Sequence, residues 1–170
     1  MDVFGEGVVK SLNGIIPNAL PPDDPLEELS DFELGLRRFC YECDRQVSVE
    51  IGDLQFTVFF DPDICMLLED RFPEQIGELE QGKSIRIDFA ESYHLTVILT
   101  PIGERVNCQL RKFGYDRNYD DYELDKEQVL GELRRFLLEV MQFAIDRGYV
   151  ALEDKEKFIA PAFYERVIFV

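Results

Sequence analysis

The sequence predicts a two-layer α+β domain. An antiparallel sheet of about five strands, in the order β-β-α-β-β-β-α, carries a long C-terminal helix packed on one face. Three observations predict it. Apolar and polar residues alternate with period two in five short stretches. The connections between most of these stretches are only a few residues long, which favours antiparallel neighbours. One long segment, Asp125–Arg147, repeats its apolar residues at three- and four-residue steps.

The elements follow in chain order. Residues 1–35 predict an extended or partly ordered N-terminal arm ahead of one α+β domain over 36–170. Gly5, Gly7, Gly14 and Pro17 precede the Pro21-Pro22-Asp23-Asp24-Pro25 stretch, whose prolines remove backbone donors. A short helix is expected near Leu26–Phe32. Val8, Val9, Ile15 and Ile16 are available to dock on the body.

From Arg38, Phe39, Tyr41, Cys43, Val47, Val49 and Ile51 share one parity, which predicts a half-buried strand. Gly52-Asp53 closes a hairpin onto a second strand, with Leu54, Phe56, Val58 and Phe60 inward. Asp61 as N-cap and Pro62 at the first helical position predict a helix ending near Phe72, before Pro73. Pro73–Gly82 has room for another helical turn.

Three strands follow. They are set by Ile85, Ile87 and Phe89, by Tyr93, Leu95, Val97 and Leu99, and by Val106, Cys108 and Leu110. Pro101-Ile102-Gly103-Glu104 supplies the turn between the last two. Asp125 and Gln128 have capping-box spacing at the start of the long helix, and Gly148 sits where its C-terminal cap belongs. Leu152–Phe158 fits a short helix, and the apolar Arg166–Val170 fits an edge strand.

Charge narrows the function. The 170 residues hold 35 Asp and Glu against 18 Lys and Arg, a formal net charge of −17. A nucleic-acid binder needs clustered Lys and Arg, so no nucleic-acid partner is expected. Docking on an anionic membrane is disfavoured for the same reason. No run approaches the ~18 apolar residues of a membrane span. Asp2 and Glu6 stand where a signal peptide carries basic residues, so a cytoplasmic protein with reduced thiols is expected.

Specific chemistries find little support. Cys40-Tyr41-Glu42-Cys43 is a C-x-x-C without a second ligand pair at matched spacing, and strand parity places its thiols on opposite faces. His94, the single histidine, falls on the wetter face beside no nucleophile motif. Asp116, Asn118, Asp120 and Glu127 fit positions 1, 3, 5 and 12 of a calcium loop, with Tyr122 at position 7. The match breaks at Asp121, where glycine is needed, and at Glu123, where an apolar residue is expected. No catalytic residue, metal ligand or cofactor is assigned.

The best candidate is a partner-binding patch in the same segment. Tyr115, Tyr119 and Tyr122 are interleaved with Asp116, Asp120, Asp121 and Glu123, in what reads as an acidic loop. Tyrosine supplies contact area at small entropic cost, and acids beside it steer a basic partner. In size and charge the chain resembles the acidic immunity proteins that neutralise bacterial toxins, and acidic secretion chaperones. That likeness of composition implies a non-enzymatic inhibitor or adaptor binding a basic protein. Two alternatives stand beside it. One is a small-molecule binding domain or hydrolase with a pocket between sheet and long helix. The other is a structural subunit of a homo-oligomer, assembled through the arm and the apolar C-terminus.

Overall fold

The computed structural model describes residues 28–112 and 119–163. The arm over 1–27, Tyr115, Asp116 and the Arg166–Val170 strand lie outside the described residues. The fold is α+β and antiparallel. It has six described strands in two sheets rather than about five in one.

The first difference is at the start. Asp31–Glu42 is an α-helix, α1, not the beginning of a strand. Ser30 and Glu33 form a reciprocal capping box: Ser30 Oγ accepts from the Glu33 N–H at 3.2 Å, and a Glu33 carboxylate oxygen accepts from the Ser30 N–H at 2.7 Å. Leu36, Phe39 and Cys40 are then buried at three- and four-residue spacing, while Tyr41 is exposed. The helix lies close against the segment after the long C-terminal helix. A Cβ added at Gly35 would overlap the Tyr149 carbonyl oxygen. The Tyr149 hydroxyl donates to Glu42, and burial together with that bond pushes the phenol up to about 12.

Strands β1 (Gln46–Ile51) and β2 (Leu54–Phe59) form the expected hairpin, paired from Gln46↔Phe59 to Ile51↔Leu54. Gly52 takes a left-handed φ of 57° at the first position of the two-residue turn, where glycine is favoured. The hairpin pairs with no other described strand. At its end the Phe59 N–H donates to Ser92 Oγ at 3.0 Å. Phe56 stacks on Tyr93 and meets Phe89 edge-on, so side chains join the two sheets.

The helix expected over 61–72 is two pieces, and a third helix fills the place where Pro73–Gly82 had room for another turn. A π-helical turn spans Phe60–Ile64, α2 spans Cys65–Glu69, and α3 spans Phe72–Glu80. Asp61 is extended within this turn and does not cap it. Asp70 and the left-handed Arg71 (φ 57°) break the helical path, and Pro73 falls in the first turn of α3, where its missing N–H is harmless. Asp63 has the more important role. It is 1% exposed, and its carboxylate accepts from the Glu91 N–H at 3.2 Å and the Ser92 N–H at 2.6 Å. That carboxylate holds the turn between the next two strands.

Strands β3 (Ile85–Phe89), β4 (Leu95–Ile102), β5 (Arg105–Lys112) and β6 (Tyr119–Asp125) make a four-stranded antiparallel meander in chain order. Tyr93 and His94 belong to the turn before β4, and His94 is exposed with φ 54°. β6 corrects the second expectation, because Tyr119–Asp125 is a strand and not a loop. It is extended, with Asp120 and Asp121 on opposite faces, not wrapped as a calcium loop requires.

The inner face of this sheet buries Ile87, Phe89, Leu95, Val97, Leu99, Val106, Cys108 and Leu110. Helix α4, Lys126–Asp146, packs on β5 and β6, and α3 packs on β3 and β4. The α4 stripe is the expected one, from Val129 and Leu130 to Met141 and Ala144. Burying each such Leu contributes roughly 1.5–3 kcal/mol. Asp125 Oδ2 accepts from the Gln128 N–H at 3.0 Å to cap the start. At the other end the Tyr149 N–H reaches the Ala144 carbonyl and the Gly148 N–H reaches that of Ile145. These two bonds, with Gly148 at φ 78°, are a Schellman cap. Helix α5, Leu152–Ile159, follows. Among the described residues no helix is long and apolar enough to cross a membrane.

Candidate interaction site on the edge strand

Strand β6 ends the four-stranded sheet, so one of its edges has no described strand beside it. Which residues face that edge follows from the ladder. Ile102 and Arg105 flank a two-residue turn and pair with each other, so Arg105 turns its backbone groups toward β4. By alternation Val106, Cys108 and Leu110 turn theirs toward Leu124, Tyr122 and Asp120. The Lys126 N–H bond to the Glu104 carbonyl, 3.0 Å, continues the same phase. Asp121 and Glu123 therefore point their backbone N–H and C=O away from the sheet. No described backbone group outside the ladder bonds to Tyr119–Leu124.

The side chains divide by parity. Tyr122 and Leu124 lie on the inner face; Leu124 is buried and Tyr122 half-buried. Tyr122 packs on the turn of the first hairpin, where a Cβ at Gly52 would overlap its ring. That tyrosine is an internal anchor of β6. Asp120 is exposed beyond it. Asp121 and Glu123 are exposed on the open face of the sheet. Tyr119 is placed at the start of β6, opposite Arg111. Of the seven expected patch residues, five are thus on one edge strand, and Tyr115 and Asp116 lie outside the described residues.

β6 holds four acids and no base: Asp120, Asp121, Glu123 and Asp125. On the open face Arg105 Nε reaches Glu123 Oε1 at 3.3 Å. Both partners are well exposed, so this pair is worth no more than about 1 kcal/mol. Asp121 lies opposite the neutral Gln109. Beneath it, burial first and the Asp121 charge second push the Cys108 thiol up to about 12. Among the described residues no group of three or more His, Cys, Asp or Glu is placed to hold a metal ion.

The sequence reading missed the backbone edge itself. Tyr122 and Leu124 at period-two spacing were its only strand signal. Open grooves lie elsewhere: one of about 540 Å³ beside α3 and Pro161, one of about 460 Å³ between α1, α2 and Phe158, and one of about 250 Å³ near Arg86. None of these three is lined by α4. Compared with protein-family models, with curated proteins and with solved structures, the chain shows no match.

Proposed function

We propose that the protein is a non-catalytic, acidic interaction module, of inhibitor or adaptor type, acting in the cytoplasm on a basic protein partner. An extended basic segment of that partner adds as a strand to the free edge of β6. The observation that carries this reading is the outward pair Asp121 and Glu123. Each offers unpaired backbone groups and an exposed carboxylate at the same position. Main-chain bonds then supply affinity, and alternate side chains supply selectivity. A second copy of β6 is a poor occupant, because acids would face acids across the new ladder. Lys or Arg at alternate positions of a partner strand meets the carboxylates instead.

The test uses a peptide of alternating Lys and Val as the probe. We expect it to bind with an affinity that falls as salt rises, because exposed charges are screened. The Asp121→Lys/Glu123→Lys double variant is expected to weaken it by at least about tenfold, since like charges then oppose each other. Both positions are exposed, so the fold is retained. Equal binding by the double variant rejects the edge as the site.

A further inference from the structure

Strand β3 is the other end of the four-stranded sheet. The ladder fixes which of its groups face outward. Thr96, Ile98, Thr100 and Ile102 turn their backbone groups toward β5, so Leu95, Val97 and Leu99 turn theirs toward β3. Pro101 fits this phase, because its missing N–H falls on the side away from β5. The bonded partners of Leu95, Val97 and Leu99 are Phe89, Ile87 and Ile85. Arg86 and Asp88 therefore point their N–H and C=O away from the sheet, and no described backbone group outside the ladder bonds to either. Their side chains are exposed on the open face. There Arg86 Nε reaches Asp88 Oδ1 at 3.1 Å, and the Thr96 hydroxyl donates to the same oxygen at 2.6 Å. Ile85, Ile87 and Phe89 are buried on the inner face. The start of this edge borders the open groove of about 250 Å³ beside the junction of α2 and α3.

Edge charges of one sign keep a strand from pairing with its own copy, as the acids of β6 do. β3 carries both signs, and their order is self-complementary. We propose that two copies of this chain pair through β3, antiparallel, about a two-fold axis at Ile87. In that register Arg86 lies opposite the partner's Asp88, and Asp88 opposite the partner's Arg86, as an isologous contact requires. Arg86 and Asp88 are the outward positions, so each opposing pair exchanges both of its main-chain bonds. On the open face the two arginines and two aspartates alternate in sign, along each strand and across the join. On the inner face Ile87 meets its own copy, and Ile85 meets the partner's Phe89. Opposite charges directly across a ladder are favourable and like charges are not. A shift of two residues either way sets Arg86 against Arg86 or Asp88 against Asp88, so the charges select one register. The two sheets become one, with a β6 at each end. Pairing through β3 thus leaves the proposed partner edge free and does not depend on it.

The experiment is sedimentation equilibrium of the full chain from about 1 μM to about 1 mM. We expect a monomer–dimer equilibrium. Arg86→Asp and Asp88→Arg are each expected to weaken it by at least about tenfold, because both opposing pairs then carry like charges. Asp88→Arg also lowers the net negative charge, so its weakening is not general repulsion between acidic copies. Mixing the two variants in equal amounts is expected to restore dimers as tight as the wild type, since every opposing pair again has opposite signs. Each variant on its own lacks the Arg86–Asp88 bridge within the strand, so rescue by mixing reads only the contact between copies. Amide exchange in the dimer should show the Arg86 and Asp88 amides protected. A monomer at every concentration, a dimer equally tight in both single variants, or a mixture as weak as its components overturns the proposal.

Discussion

Phe39→Ala is expected to lower the free energy of unfolding by about 4 kcal/mol, within the ~3–5 kcal/mol range for a buried phenylalanine. Phe39 is 1% exposed, and its ring meets Phe60, Phe143 and Tyr149 with centroids 5.7, 5.4 and 5.6 Å away. It therefore joins α1 to the π-helical turn, to α4 and to the segment that follows α4. Truncation removes all three contacts and leaves a cavity that three separate elements cannot collapse together. Tyr41→Ala is the matched control. Tyr41 is 42% exposed, so its loss should fall within about 0.5 kcal/mol. A strand through this segment would place both rings on one apolar face and make both substitutions costly. Urea unfolding of the two variants, with unchanged slope, separates the two geometries. Equal large losses would contradict the helix.

Asp63→Ala is expected to cost about 3 kcal/mol. The carboxylate is buried, and it accepts two backbone N–H groups, those of Glu91 and Ser92. Leaving a buried donor unmet costs roughly 1–3 kcal/mol, so two such losses outweigh the gain from removing a buried charge. Asp63→Asn keeps one good acceptor and should fall between alanine and the wild type. The Ser92 hydroxyl in turn receives the Phe59 N–H, so the first hairpin should loosen with the turn. Amide exchange reads this directly: Phe59, Glu91 and Ser92 should all lose protection in Asp63→Ala. Retained protection at Glu91 and Ser92 would show that another group holds the turn.

Helix α4 and both two-residue hairpins were legible in the sequence because local and tertiary signals agree there. The α4 stripe, the Asp125 cap and Gly148 all point the same way, and Gly52 and Gly103 mark turns with positive φ. The segment from Phe32 to Cys43 was ambiguous. Phe39, Tyr41 and Cys43 fit period two, yet Leu36, Phe39, Cys40 and Cys43 fit three- and four-residue steps equally well. The deciding signal was upstream, in the Ser30-x-x-Glu33 capping box. β6 was hidden for the opposite reason. An edge strand has little need of apolar residues on its open face, and four acids mask what Tyr122 and Leu124 report. The acidic chemistry of the candidate site was therefore visible in sequence, but its free backbone and the inward turn of Tyr122 were not.

The most direct test of the β6 edge is amide hydrogen exchange with and without the alternating Lys–Val peptide. Strand addition predicts that the Asp121 and Glu123 amides, which point outward in the free protein, become protected on binding. Tyr122 and Leu124 already bond to β5 and should change little. A peptide of alternating Glu and Val should protect neither outward amide. If the basic peptide binds and leaves the Asp121 and Glu123 amides exchanging as before, the free edge of β6 is not where this protein meets its partner.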